Sequence, residues 1–396
     1  MNLFERDRAC TMHTYDRLPV RIVGGKGTYL FDDAGRRYLD FFGGLAVNAL
    51  GYAHPALLEA IHAQVDSYLH ISNRFPQDAQ VALAEQLLEI TNFSRVFFAN
   101  SGAEAVETAL KISRKYGTAS ARSRIIAFSG AFHGRSMCGL SLTDNENYRL
   151  GFAPFLPDCD ILPFNDAAAL HESVDDTVIA IIFECIQGEG GIIPASTDFI
   201  SALNEVRDRY ELLLIADEIQ CGMGRTGRFL ACDHVAVSPD IVVVAKALGG
   251  GLPLSAVMVK QRLQDVLGPG MHGSTFGGNP VACAAGRVVL DALMNGLMQH
   301  VTSIGTSLRD GLNYLARKHA ELVSDIRGMG LMLGMECRRD MSRFTNMCLE
   351  NALLVNVTRQ RVIRLLPPYI ITDSDVDRAL SILDKTLSAY EVTVLN

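Results

Sequence analysis

Two apolar runs, Leu212-Leu213-Leu214-Ile215-Ala216 and Ile241-Val242-Val243-Val244-Ala245, each stop at a single charged residue, Asp217 and Lys246. Short runs without alternation are what strands buried on both faces of a parallel sheet look like. Ligands of such open sheets bind beyond the carboxyl ends of the strands, so a carboxylate and an amine are set to face one another across a site. An amine can add to a carbonyl and then carry protons, and a carboxylate can hold a buried cation in its charged form. The ordinary alternatives are a cap for Asp217 and an outward, snorkelling lysine for Lys246.

Other strand ends carry polar chemistry too. Asn100-Ser101-Gly102-Ala103-Glu104 turns a strand directly into a helix, whose free N–H groups and positive dipole end suit a phosphate. Ser101 and Glu104 also fit an ordinary capping box with no ligand. In Gly130-Ala131-Phe132-His133-Gly134-Arg135, a flat ring beside a guanidinium suits an aromatic ligand and a carboxylate. Glu184 and Glu189, with three glycines, end a further strand as a possible site wall, and Thr275, in a glycine-rich loop, could bond a phosphate. Gly222-Met223-Gly224-Arg225-Thr226-Gly227 matches the dinucleotide fingerprint in letter and raises an NAD-dependent oxidoreductase as the rival. Its context speaks against it, because no helical periodicity follows and Pro239 closes the segment.

The elements that must position these residues follow from periodicity. An antiparallel meander is expected over 20–41, then a helix from Pro55 with Leu58, Ile61, Val65 and Leu69 on one face, and another over 78–90 with Val81, Ala84, Leu87 and Leu88 inward. From Val96 onward strands and helices alternate, which predicts a doubly wound α/β domain. A helix over 280–294 starts at Asn279-Pro280, and beyond about residue 300 shorter strands mix with helices as a smaller α+β unit.

Composition narrows the function classes. The 396 residues are 48% hydrophobic with a formal charge of -8 and no run of five like charges, which leaves no electrostatic footprint for nucleic acid or an anionic membrane. A charged amino terminus and the lack of a span-length apolar run predict a cytoplasmic protein. Nine cysteines without a Cys-x-x-Cys pair, and ten histidines without ligand spacing, predict no disulfide framework and no metal site.

Taken together, Gly43-Gly44-Leu45-Ala46-Val47, Asn100 to Ala105, Phe132-His133-Gly134-Arg135, Gln187-Gly188-Glu189-Gly190-Gly191, Asp217-Glu218-Ile219-Gln220, Ala245-Lys246, Gly273 to Pro280 and Val362 to Pro368 resemble the class III aminotransferases of the pyridoxal-phosphate fold type I superfamily. The resemblance runs nearly end to end. It implies a large domain with a mostly parallel seven-stranded sheet over 55–297 and a smaller domain built from 1–54 and 298–396. It implies pyridoxal 5'-phosphate as cofactor, with Lys246 as its Schiff-base lysine, Asp217 on the ring nitrogen, Gln220 on the ring hydroxyl side, Phe132 stacked on the ring, and Ser101, Gly102, Ala103 and the partner subunit's Thr275 around the phosphate. Arg135, Glu189, Ser274 and Arg364 are implied on the substrate side, Arg364 for the α-carboxylate of glutamate or 2-oxoglutarate and Glu189 as its partner when no dicarboxylate is bound.

The implied assembly is a homodimer with shared active sites, and the implied reaction is transfer from N2-acetyl-L-ornithine to 2-oxoglutarate in arginine biosynthesis. Ornithine, succinylornithine, 4-aminobutyrate and a lysine-pathway donor stay open, as do an aminomutase and a cofactor-free binding protein on the same fold. Two departures stand out: Cys185 takes the place of the family's usual proline, and Ser72-Asn73-Arg74-Phe75-Pro76 is short and basic.

Overall fold

In the computed structural model, which describes residues 1–395, the chain opens with a short capped helix and then the expected meander. Its strands β1 (Ile22–Lys26), β2 (Tyr29–Asp32) and β3 (Arg37–Asp40) pair antiparallel. The central strands are β4 (Arg95–Ala99), β5 (Arg124–Phe128), β6 (Cys159–Leu162) and β7 (Val178–Phe183). A small hairpin of β8 (Ile186–Gln187) and β9 (Ile193–Pro194) precedes β10 (Leu213–Asp217), β11 (Ile241–Val244) and β12 (Ser255–Val259). Seven of these form one sheet in the order β4-β12-β11-β10-β7-β5-β6, parallel except for the reversed β12.

Because side chains alternate across a strand, the sheet divides its apolar residues between two faces. Leu213, Ile215, Ile241 and Val243 pack under the helix Gly102–Gly117, through Ala105, Val106, Ala109 and Leu110. Leu214, Ala216, Val242 and Val244 face the opposite layer, with Phe199, Leu203 and Val206 of the helix Thr197–Tyr210. Covered on both sides, β7, β10, β11 and β12 are buried at every position. The carboxyl ends of β4, β5, β7, β10 and β11 therefore share one edge of the sheet.

Toward the carboxyl end, β13 (Val323–Met329), β14 (Met332–Cys337), β16 (Asn356–Thr358) and β17 (Val362–Leu365) form an antiparallel sheet. β15 (Leu353–Leu354) joins β3 in parallel, so the two ends of the chain share a sheet.

Four expectations need correction. In the helix Pro55–Ser67 only Leu57 is buried, while Leu58, Val65 and nearby Leu69 are 43%, 42% and 58% exposed. In Asp78–Ile90 the core side is Ala79, Leu83 and Leu87, and Val81 is 45% exposed. Both helices carry apolar residues on more than one face, so periodicity alone did not select the face that meets the sheet. The helix from Pro280 does not stop near residue 294: it runs through a wider turn at Leu293–Leu297, where Gly296 has φ +106°, into Met298–Lys318. The whole stretch is long and apolar enough to cross a membrane, contrary to the sequence expectation, yet its Val289, Leu290, Leu293, Val301, Ile304 and Leu308 are core residues.

Candidate active site

The shared strand edge opens into a cavity of about 500 Å³. Nine of the residues expected there line it: Ser101, Gly102, Ala103, Phe132, Arg135, Glu189, Asp217, Gln220 and Lys246. Each arrives at the end of a central strand or in the turn that follows, which is why five separate segments converge on one pocket.

Asp217 ends β10, buried at 3% exposure, and accepts from His133 Nδ1 at 2.7 Å and from the Ile219 N–H at 3.1 Å. His133 is 1% exposed, and its Nε2 has no hydrogen-bond partner among the described residues. A ring held this way donates to Asp217 and fixes the carboxylate's direction, a role that the sequence reading had not assigned to His133. Glu184, at the end of β7, is also buried beside Asp217. Burial first, and then the charge of Asp217, pushes its carboxyl well above the ordinary range. Sequence could flag Glu184 as acidic, but the proximity that shifts it is tertiary.

Lys246 follows β11 with φ +48°, a left-handed backbone conformation that a non-glycine residue holds at a cost of about 1–3 kcal/mol. The turn aims its amine into the cavity. Removal from water, reinforced by the charge of Arg364, brings the amine down to about 8, against the opposing pull of Glu189, Asp217 and Glu184. About a tenth of this amine is thus neutral and nucleophilic at pH 7.

On the opposite wall, Arg364 of β17 is 1% exposed and donates to Glu189 Oε1 at 2.5 Å, to Gln220 Oε1 at 3.2 Å and to Asn356 Oδ1 at 3.2 Å. Burial raises the Glu189 carboxyl, but the charge and hydrogen bond of Arg364 outweigh it and leave the group below its ordinary value. Gly188 allows this arrangement, since a Cβ there would stand 2.1 Å from Gln220 Oε1. Arg135 projects from the mouth, its guanidinium 3.6 Å from the centre of the Tyr148 ring, with Phe132 set edge-on to the same ring.

Ser101 caps the helix Gly102–Gly117 by accepting from the Glu104 N–H at 3.3 Å. The N–H groups of Gly102 and Ala103 point past the cap and meet no acceptor among the described residues. A Cβ on Gly102 would stand 2.7 Å from Ile219 Cδ1, so the floor of this cradle admits only glycine without displacement. Unpaired N–H groups at a helix start, a flat aromatic, a buried carboxylate and a depressed amine fit a phosphorylated, cationic heteroaromatic aldehyde such as pyridoxal phosphate.

Three expected residues stand outside the cavity. Arg364 lies just behind the Glu189 and Gln220 wall. Ser274 is hooked to the cavity residue Asn100 through its Oγ at 3.1 Å, and Thr275 is exposed on the surface. Asn73 donates to the carbonyls of Ser274 and Gly277 at 3.0 and 2.9 Å, so the short 72–76 segment braces this loop. The Gly222 to Gly227 segment is a chain of turns followed only by the single 3₁₀ turn Ala231–His234, not by a long helix. Its Arg225 is 0% exposed, donates to the Leu331 and Pro367 carbonyls and lies over Tyr369. That passage is a structural tie and not a dinucleotide turn.

Comparison with known proteins agrees with this geometry. The family model for class-III aminotransferases matches residues 11–387. The chain is 45% identical to the acetylornithine aminotransferase of Caldanaerobacter subterraneus subsp. tengcongensis, covering 95% of this chain and 97% of the relative. It is 42% identical to that of Aquifex aeolicus, covering 95% and 99%. Among solved structures, the ornithine aminotransferase of Toxoplasma gondii superposes with a TM-score of 0.94 at 34% identity, covering 98% and 95%. The N-acetylornithine aminotransferase of Stenotrophomonas maltophilia superposes with 0.84 at 32%, covering 99% and 100%.

Proposed function

Since this chain belongs to the class-III aminotransferases, which use pyridoxal 5'-phosphate, we propose that it transfers the terminal amino group of N2-acetyl-L-ornithine to 2-oxoglutarate, giving N-acetyl-L-glutamate 5-semialdehyde and L-glutamate. The observation that carries this reading is the depressed amine of Lys246 across the cavity from Asp217, with a removable ion pair, Glu189 to Arg364, in the facing wall. The names of the similar relatives support the donor, and nine unpaired cysteines support a cytoplasmic setting.

When bound, the cofactor supplies a conjugated ring that accepts the electrons released as the substrate carbon loses its proton. Ser101, Gly102 and Ala103 would hold its phosphate, Phe132 its ring face, Asp217 its ring nitrogen and Gln220 its hydroxyl side. Lys246 is the group that moves the proton at the substrate carbon, and its lowered basicity lets it take and return that proton at neutral pH.

An ω-amino donor brings an apolar stem past Arg364, whereas 2-oxoglutarate brings a second carboxylate. An arginine desolvated without a partner is costly, so Glu189 pairs with Arg364 during the first half-reaction and yields to the substrate carboxylate in the second. Arg364→Ala is expected to slow the 2-oxoglutarate half-reaction by about 10- to 100-fold, the loss of hydrogen bonds to a charged group, and to affect the donor half-reaction far less. Arg135→Ala should slow both. Glu189→Ala should favour glutamate over the ω-donor in single-turnover assays, and equal slowing of both would reduce Glu189 to a structural residue.

The active sites are shared across a two-fold dimer in this reading. Leu69, Phe276, Leu252 and Pro253 form an exposed apolar hollow beside the cavity, continuous with the loop that presents Thr275 outward. Isologous contact there would cover it and carry Thr275 toward the neighbouring site.

A donor panel with 2-oxoglutarate, following glutamate formed, tests the substrate assignment. N2-acetyl-L-ornithine is expected to give the highest kcat/KM, and a larger value for ornithine, succinylornithine or 4-aminobutyrate would replace it as the donor.

A further inference from the structure

Behind the cavity, between the strand end that carries Glu184 and the turn that follows Asp217, lies a second polar cluster. Cys185, Glu218 and Cys232 are buried and place one ligand atom each within 4.8 Å of the others. The two sulfurs are 3.2 Å apart. Glu218 is 0% exposed and meets no cationic side chain among the described residues: its oxygens accept the N–H groups of Ala231 and Cys232 at 2.8 Å each and the thiol of Cys221 at 3.4 Å. A carboxylate enclosed this way is compensated by dipoles alone. None of the three lines the cofactor cavity, and a separate surface cleft of about 300 Å³ reaches Cys232. The cluster was hidden in the sequence because its members come from three distant segments, one of them the cysteine that replaces the family's proline.

We infer that Cys185, Cys232 and Glu218 form a binding site for a thiophilic divalent cation of the zinc and cadmium class. The distances separate two fates for the sulfur pair. Tetrahedral bonds of about 2.3 Å hold two sulfurs about 3.8 Å apart, whereas a disulfide holds them at about 2.05 Å. From 3.2 Å a metal asks the sulfurs to part by about 0.6 Å, and a disulfide asks a packed core to close by about 1.2 Å. The smaller movement favours the metal. Two sulfurs with one carboxylate oxygen also form a donor set for a soft or borderline ion and not for magnesium or calcium.

The charge balance is even. Each thiol gives its proton to solvent as its sulfur bonds the ion, so two protons leave per cation bound. Two thiolates and one carboxylate against a divalent ion leave one negative charge, which is what the carboxylate and two thiols carry without it. No additional net charge is buried. Water arriving through the cleft completes the fourth position. The bound ion would tie the segment after β7 to the turn after β10, fixing the separation of Glu184 and Asp217.

The test uses the holoenzyme, reduced, stripped with chelator and desalted. It is titrated with Cd²⁺ while the thiolate-to-cadmium absorption is followed as a difference spectrum, and retained metal is counted by mass spectrometry. About one ion per chain is expected, displaced competitively by Zn²⁺. Cys185→Ser and Cys232→Ser should each weaken binding by at least about tenfold, as losses at ligands and their supports do, while Cys283→Ser, a buried cysteine elsewhere, should not. If either serine variant fails to fold, an anomalous difference map from a cadmium-soaked wild-type crystal should place the ion between the two sulfurs. No retained ion, retention equal in wild type and both variants, an anomalous peak elsewhere, or a Cys185–Cys232 disulfide that takes no metal would each overturn the site.

Discussion

Lys246→Ala is expected to leave a folded protein whose turnover falls by about 10⁴-fold or more, because one side chain serves both as nucleophile and as proton carrier. Thermal melting of the cofactor-free variant checks the fold, and steady-state rates with 2-oxoglutarate check the loss. A residual rate within tenfold of wild type would show that another group moves the proton.

The same residue predicts a pH dependence that requires no cofactor. With its amine at about 8 in place of 10.5, roughly a tenth of it is neutral at pH 7. Acylation of Lys246 in the cofactor-free protein should therefore rise with pH to a plateau above about 8, while surface lysines continue to gain reactivity. The sign for stability follows. Between about 8 and 10.5 the unfolded chain holds a proton that the folded chain has lost, so this group's unfavourable contribution is fully present below the folded value and is relieved as pH rises through that window.

Asp217→Asn is expected to lower kcat by about 10²- to 10³-fold, the scale seen when one preorganised electrostatic partner is removed from a buried site. The asparagine keeps the shape and the Ile219 contact but not the charge, so the protein should fold and bind the cofactor more weakly. His133→Ala, which removes the donor that orients Asp217, should cost roughly 10- to 100-fold. The ordering of the two separates charge from orientation: equal losses would mean that direction matters as much as charge, and a larger loss in the histidine variant would contradict the assignment of Asp217.

How much of this was legible beforehand can be read from particular residues. Asp217 and Lys246 were visible because a strand buried on both faces is an unbroken apolar run, and a charge that ends such a run is conspicuous. Ser101, Gly102 and Ala103 were visible because helix caps obey local rules. These signals are one-dimensional. They placed the strands, their order of alternation and several strand-end residues that line the cavity before any coordinates.

What they did not contain is pairing across the fold. His133 bonds Asp217, Arg364 meets Gln220, and Cys185 touches Cys232, each over a long stretch of intervening chain, and the Glu189–Arg364 pair was implied by the family resemblance and not by any local signal. The depressed amine of Lys246 and the raised carboxyl of Glu184 depend on enclosure and on neighbouring charges, which local sequence does not encode. For the helices Pro55–Ser67 and Asp78–Ile90, several faces were apolar enough to be buried, and packing against the sheet chose among them. The sequence by itself determined the elements and the chemistry at their ends, because propensity, capping and alternation act within a few residues. Only the tertiary structure decided which of those ends are partners and what protonation state each one holds, because electrostatics and packing act through space.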